Sequence, residues 1–177
     1  MEKLGEFRES LKKTDWAWIA GFLDGEGCMT IQKGYAENKK KCHNWSKVGW
    51  YWYRPRLSLH NTDEKSVMFI ASAFACKYYK RKETTSNLKP LYYIDISAIQ
   101  ILRRVILDIL PYLKVKKVQA ELVYRLACLP RGSGFEKEQI WQEFDRYSRL
   151  CGQKNVGLNN HSKPKRRMLK RRESSFV

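Results

Sequence analysis

Apolar residues recur along the chain at two different spacings, and the changes from one to the other mark out the elements. Residues 16–23 are almost all apolar and predict a short helix, capped by Thr14 or Asp15 and ended by Asp24-Gly25-Glu26-Gly27. From 28 to 35 the period drops to two: Met29 and Ile31 alternate with Thr30 and Gln32, as in a strand with one dry and one wet face. A basic, polar loop at 36–47 leads to a second strand over 48–59, where Leu57 and Leu59 oppose Arg56 and Ser58. Helical spacing returns over 63–76, entered through Asn61-Thr62-Asp63, with Val67, Ile70, Ala71 and Phe74 as its apolar stripe. Two more strands are predicted at 78–84 and 90–96, joined around Thr85-Ser86-Asn87. Tyr78, Lys80 and Lys82 share a face in the first, and Ile94 and Ile96 oppose Tyr93 and Asp95 in the second. Ser97 caps a predicted helix over 98–110 that Pro111 ends, and helices near 116–129 and 136–150 follow. The order αββαββα, with extra C-terminal helices, predicts an α+β fold in which one face of a four-stranded antiparallel sheet is covered by helices.

Charge says what the uncovered face is for. The 177 residues contain 35 Lys and Arg against 18 Asp and Glu, a formal charge of +17. Residues 28–62 hold seven bases against one acid, 77–91 five against one, and 154–177 eight against one. The first two segments are the predicted strands and the loops joining them; the third reads as a flexible basic tail on a single domain spanning 1–153. Such an excess points to a polyanion, either nucleic acid or an anionic membrane surface. No stretch reaches the roughly 20 apolar residues of a membrane span, and no predicted helix is basic and amphipathic, so the membrane reading falls away. The first nine residues include Glu2, Glu6 and Glu9 and lack the layout of a signal peptide, so the mature chain is expected to be the one at hand. Five scattered cysteines without a C-x-x-C pair fit reduced intracellular thiols, with Cys42-His43 the single hint of a zinc ligand. Thr30, Gln32, Arg54, Arg56, Ser58, Tyr78, Lys80 and Lys82 then form a wet face suited to duplex DNA, with Lys33, Tyr93 and Asp95 beside them.

One segment is unusual. In Trp18-Ile19-Ala20-Gly21-Phe22-Leu23-Asp24-Gly25-Glu26-Gly27, a glycine sits inside a helix, where it costs about 1 kcal/mol relative to alanine. Ala17, Gly21 and Gly25 follow i, i+4 spacing and lie in one line with almost no bulk, so another helix can approach closely there. The bland alternative is a tight packing site within the chain. Two acids stand at the helix exit, against the unfavourable end of its dipole, where a cation such as Mg²⁺ is a natural partner.

This segment resembles the signature of the LAGLIDADG homing endonucleases, and the resemblance extends over most of residues 14–150. It implies a saddle-shaped sheet that reads the major groove and a helix of the motif, about 15–25, that packs against its counterpart at a twofold axis. A single motif implies a homodimer, with Ala17, Gly21, Phe22, Asp24 and Gly25 at the interface. The resemblance further implies Mg²⁺, with Mn²⁺ or Ca²⁺ as other occupants, on the Glu26 carboxylate and the Gly25 carbonyl. Asn61 falls where a polar residue positions water, and Lys65 and Lys116 where bases surround the scissile phosphate; with Glu26 these are the expected catalytic residues. The implied activity is staggered cleavage of both strands of a long, roughly palindromic DNA target, inside the organelle or bacterial cytoplasm that holds the host intron. Alternatives on the same fold are an intron-encoded maturase, with intron RNA as partner, and a non-catalytic DNA-binding protein.

Overall fold

Gly27 is the point where a helix becomes a strand with no linker. In the computed structural model, which describes residues 7–36, 50–81 and 89–155, helix α1 (Lys13–Glu26) runs directly into β1 (Gly27–Ala36). A Cβ at Gly27 would stand 2.7 Å from the Leu23 carbonyl oxygen and 2.8 Å from its Cδ2, so only glycine permits this exit. The helix is longer than the 16–23 predicted, because Asp24-Gly25-Glu26 forms its last turn. At the other end Lys12 is the cap, and Asp15 acts from inside the first turn by accepting the Lys12 amide at 2.8 Å.

The order continues with β2 (Trp50–Asn61), α2 (Glu64–Phe74), β3 (Tyr78–Lys80), β4 (Tyr92–Ile96), α3 (Ile99–Ile109), α4 (Lys117–Cys128) and α5 (Gly134–Asn155). The strands form one antiparallel sheet in the order β1-β2-β4-β3. Met29, Ile31, Leu57, Leu59, Ile94 and Ile96 project from one face and merge with buried side chains of all of α1 to α5 into a single core. Burying each such aliphatic side chain is worth roughly 1.5–3 kcal/mol, which fixes the face of every strand that carries them. The fold is the predicted α+β arrangement. Helix α2 is capped as its sequence suggests, with Asp63 accepting the Ser66 amide at 3.2 Å. Ser97 is not the cap of α3, however; Ala98 holds that position and makes no side-chain cap bond.

Three strand residues lie on the covered side rather than the wet one. Tyr78 pairs with Ile94 and Lys80 with Tyr92, so both face the helices, and Tyr79 takes the open face opposite Tyr93. A strand of three residues has too little alternation of its own to set its register; the apolar face of β4 sets it, and a slip of one residue swaps every side chain. The Tyr78 hydroxyl donates to Glu64 of α2 at 3.2 Å. Lys33 follows Met29 and Ile31 onto the covered face, where its ammonium pairs with Glu138 of α5 at 2.7 Å and lies 4.3 Å from the Trp141 ring centroid. It clamps α5 to the sheet. Lys82, the loop at 37–47 with Cys42-His43, the turn at 85–87 and the tail beyond 155 lie outside the described residues.

Candidate metal centre and nucleic-acid interface

The end of α1 is tied to the loop before α4. Asp24 Oδ2 accepts the amides of Lys114 at 2.7 Å and Val115 at 3.2 Å, and Oδ1 accepts that of Lys116 at 2.8 Å. The Lys116 ammonium reaches back and donates to the carbonyls of Leu23 at 2.9 Å and Asp24 at 2.5 Å, and stands 3.5 Å from that of Gly25. A cation at a helix C-terminus satisfies carbonyls that have no partner within the helix. Partial burial works to raise the Asp24 carboxyl, but the three amides and the Lys116 charge outweigh it and hold it below its usual range. Burial pulls the Lys116 ammonium below its usual range, against the opposing influence of Asp24, Cys28 and Glu26. Glu26 is exposed beside this knot, and no hydrogen bond or ion pair among the described residues holds its carboxylate.

Both Asp24 oxygens are thus used within the chain, where they tie the end of α1 to the loop before α4. A carboxyl held low stabilises the fold above the unfolded carboxyl's pKa, and that contribution disappears as pH falls through the folded value. Asp24→Asn should cost about 1–3 kcal/mol at neutral pH, because it removes a charged acceptor from three amides. Urea unfolding checks this: the gap between variant and wild type should close as pH is lowered through the acid range.

Of the other expected catalytic residues, Lys116 is brought to Gly25 and Glu26, Asn61 holds a turn, and Lys65 is exposed. Asn61 Oδ1 accepts the Asp63 amide at 2.8 Å, a turn that starts α2. Lys65 is exposed and, with Asp15, Trp18, Ser66 and Phe69, lines an open cavity of about 340 Å³ between α1 and α2.

Along α1, Ala17, Gly21 and Gly25 are all exposed, and a Cβ added at Gly21 or Gly25 would meet nothing within 4 Å. Tight packing among the described residues is thus not the reason for these glycines. Trp18, 45% exposed, borders the stripe and packs on Phe22 at 5.3 Å and on Phe69 at 5.6 Å between ring centroids. Phe22 is half-buried against the core. Trp18 was not singled out from the sequence, although its i, i+4 relation to Phe22 makes the two rings neighbours.

The open face of the sheet carries Thr30, Gln32, Arg54, Arg56, Tyr93 and Asp95, as expected. Ser58 is also on this side but only 8% exposed, in the floor between Cys28 and Asp95. The aromatic content of the face was missed. Tyr79, Tyr93 and His60 form a ladder of stacked rings at 5.4 and 5.6 Å, and Trp50, Trp52, Arg54 and Arg56 take every second position along β2. The Trp52 indole lies directly over Gly34, in the space a Cβ would fill, and the Arg54 guanidinium is 5.7 Å from its ring centroid. The recurrence of Trp, Trp, Arg and Arg at every second residue over 50–56 was the available signal.

A helix with a bare stripe and an exposed acid at its end thus stands beside a sheet whose outer face is basic and aromatic. The sequence profile of the LAGLIDADG endonucleases matches residues 19–126, and the chain belongs to that family. Among solved structures, the homing endonuclease I-CvuI, crystallised with the I-CreI target in the presence of Mg with the DNA not cleaved, is 21% identical. That match has a TM-score of 0.53 and covers 85% of each chain. The homing endonuclease I-TnaI is also 21% identical, with a TM-score of 0.52 over 81% of this chain and 97% of its own. The group I intron-encoded homing endonuclease I-CeuI, complexed with DNA, is 16% identical, with a TM-score of 0.52 over 81% and 75%. At these identities the likeness shows a shared fold. No curated protein sequence matches the chain. Among the described residues no helix is long and apolar enough to cross a membrane.

Proposed function

We propose that the chain is one half of a homodimeric, metal-dependent DNA endonuclease that makes staggered breaks in both strands of a long, roughly palindromic target. The observation that carries this reading is the α1 stripe: a Cβ added at either of two exposed helix glycines would meet nothing among the described residues, and Glu26 is exposed at the end of the same helix. A helix gives up about 1 kcal/mol per glycine. A second α1 packed along the stripe offsets that cost and makes the contact isologous, which places the two Glu26 side chains on either side of the axis.

The donor set fits a hard divalent cation. The Glu26 carboxylate and the Gly25 carbonyl offer the oxygens that Mg²⁺ selects, and the Lys116 ammonium on the neighbouring carbonyls supports the preference of this helix end for positive charge. Mg²⁺ keeps several waters and is commonly held by one or two carboxylates plus phosphate oxygens, so Glu26 and the Gly25 carbonyl with water and the DNA phosphate would make up such a shell. When bound, the metal supplies an acidified water and neutralises charge on the phosphate. The chain's own residues do the rest. Lys116 fixes the last turn of α1 so that Glu26 is held at one position, and it adds positive charge beside the phosphate. Arg54 and Arg56 hold the duplex against the open sheet face, and Trp52 supports Arg54 from beside it. The dimer would act in whichever compartment holds its DNA.

Incubating the full chain with Mg²⁺ and a library of randomised duplexes tests the reading. Cleavage of both strands at a recurring, near-symmetric sequence is the expected result; tight binding with no cleavage at any site would overturn it.

A further inference from the structure

We infer that Arg56 and Asp95 together form a subsite for the major-groove edge of guanine; this rests on the reading that the open sheet face lies on duplex DNA. The two residues stand on adjacent strands of that face as diagonal neighbours, two residues apart in register, since Asp95 lies opposite Ser58. Arg56 Nε donates to Asp95 Oδ1 and Nη2 to Oδ2, each at 2.6 Å. A guanidinium carries five N–H groups in a rigid fork, and this pairing uses one at Nε and one at Nη2. Both Nη1 hydrogens and the second Nη2 hydrogen remain, directed away from the carboxylate. That free end matches the O6 and N7 acceptors of guanine, whereas adenine presents an N6–H₂ donor in place of O6.

Stability does not account for the pair. Its side chains are 34% and 33% exposed, and ion pairs at the surface contribute only about 0–1 kcal/mol. Nor does general affinity, since a carboxylate on a phosphate-facing surface weakens non-specific binding. What Asp95 does supply is orientation. It holds a flexible cation in one pose before DNA arrives, so the ordering cost is met in the free protein. A polar recess of about 200 Å³, lined by Gln32, Arg54, Arg56, Asp95 and Ser97, surrounds the pair. Asp95 is therefore a positioning residue, and Arg56 makes the base contact.

The test is selection of bound duplexes from a randomised library by wild type, Asp95→Asn and Arg56→Gln, with far-UV circular dichroism to check folding. Wild type should require guanine at one position in each half-site. Asp95→Asn should lose about tenfold of that preference while binding non-specific duplex at least as tightly. Arg56→Gln should move the preference at that position toward adenine, which a carboxamide contacts through N6 and N7. If Asp95→Asn keeps every base preference, or if both variants lose affinity uniformly with no change at any position, the subsite is overturned. If wild type binds no duplex at all, the endonuclease reading itself fails.

Discussion

Glu26→Gln is expected to abolish cleavage of both strands while leaving duplex binding intact. Glutamine keeps the size and one carbonyl oxygen of glutamate but not its charge, and a neutral amide oxygen is a poor donor for a dehydrated Mg²⁺. Losing the metal removes several kcal/mol of transition-state stabilisation, and about 4 kcal/mol corresponds to roughly a thousandfold in rate. Binding should persist because Glu26 lies at the helix end and not on the open strand face, and removing an acid does not weaken attraction to phosphate. Single-turnover cleavage and a gel-shift titration on one selected target separate the two effects. Undiminished cleavage would remove Glu26 from the metal centre even if the activity were real, whereas loss of both cleavage and binding would mean that the substitution had disturbed the α1 exit.

Gly21→Leu should convert a dimer into a folded monomer. Within one chain the position is open, with nothing within 4 Å of an added Cβ, so leucine has room there. It also raises helix propensity by nearly 1 kcal/mol over glycine, so thermal stability of the isolated chain should hold or rise. At a close helix crossing the same side chain separates the backbones by several ångströms and removes the contact. Sedimentation at micromolar concentration should then show wild type as a dimer and the variant as a monomer, with double-strand cleavage lost. A variant that stays dimeric would show that the stripe is not the interface. A stable, monomeric variant could be explained in no way by simple misfolding, which is why this position is more informative than Phe22, whose half-buried ring also belongs to the core.

The parts of the site that were legible in the sequence are those whose chemistry depends on neighbouring residues. Glycines at 21, 25 and 27 and acids at 24 and 26 stand within one helix exit, and spacing alone identifies them. The clamp between Asp24 and the amides of Lys114 to Lys116 joins residues about 90 positions apart, so its existence was invisible in the sequence. Lys116 was placed near the centre by resemblance, but its bonds to the end of α1 were not foreseen. Lys33 and Tyr78 went to the wrong face for related reasons. Charge and polarity suggested solvent, whereas the pleat, set by Met29 and Ile31 in one strand and by Ile94 in its neighbour, sent them inward.

By itself the sequence determined the type and order of the elements, the basic surplus on the strands and the bare helix stripe, because periodicity, charge and side-chain bulk are local properties. Tertiary structure decided which face each strand residue takes, which acid is hydrogen-bonded and which is exposed, and that no described side chain fills the space beside Gly21 and Gly25. Those outcomes depend on register and on contacts between distant segments, which the burial of a shared core sets and no local pattern encodes.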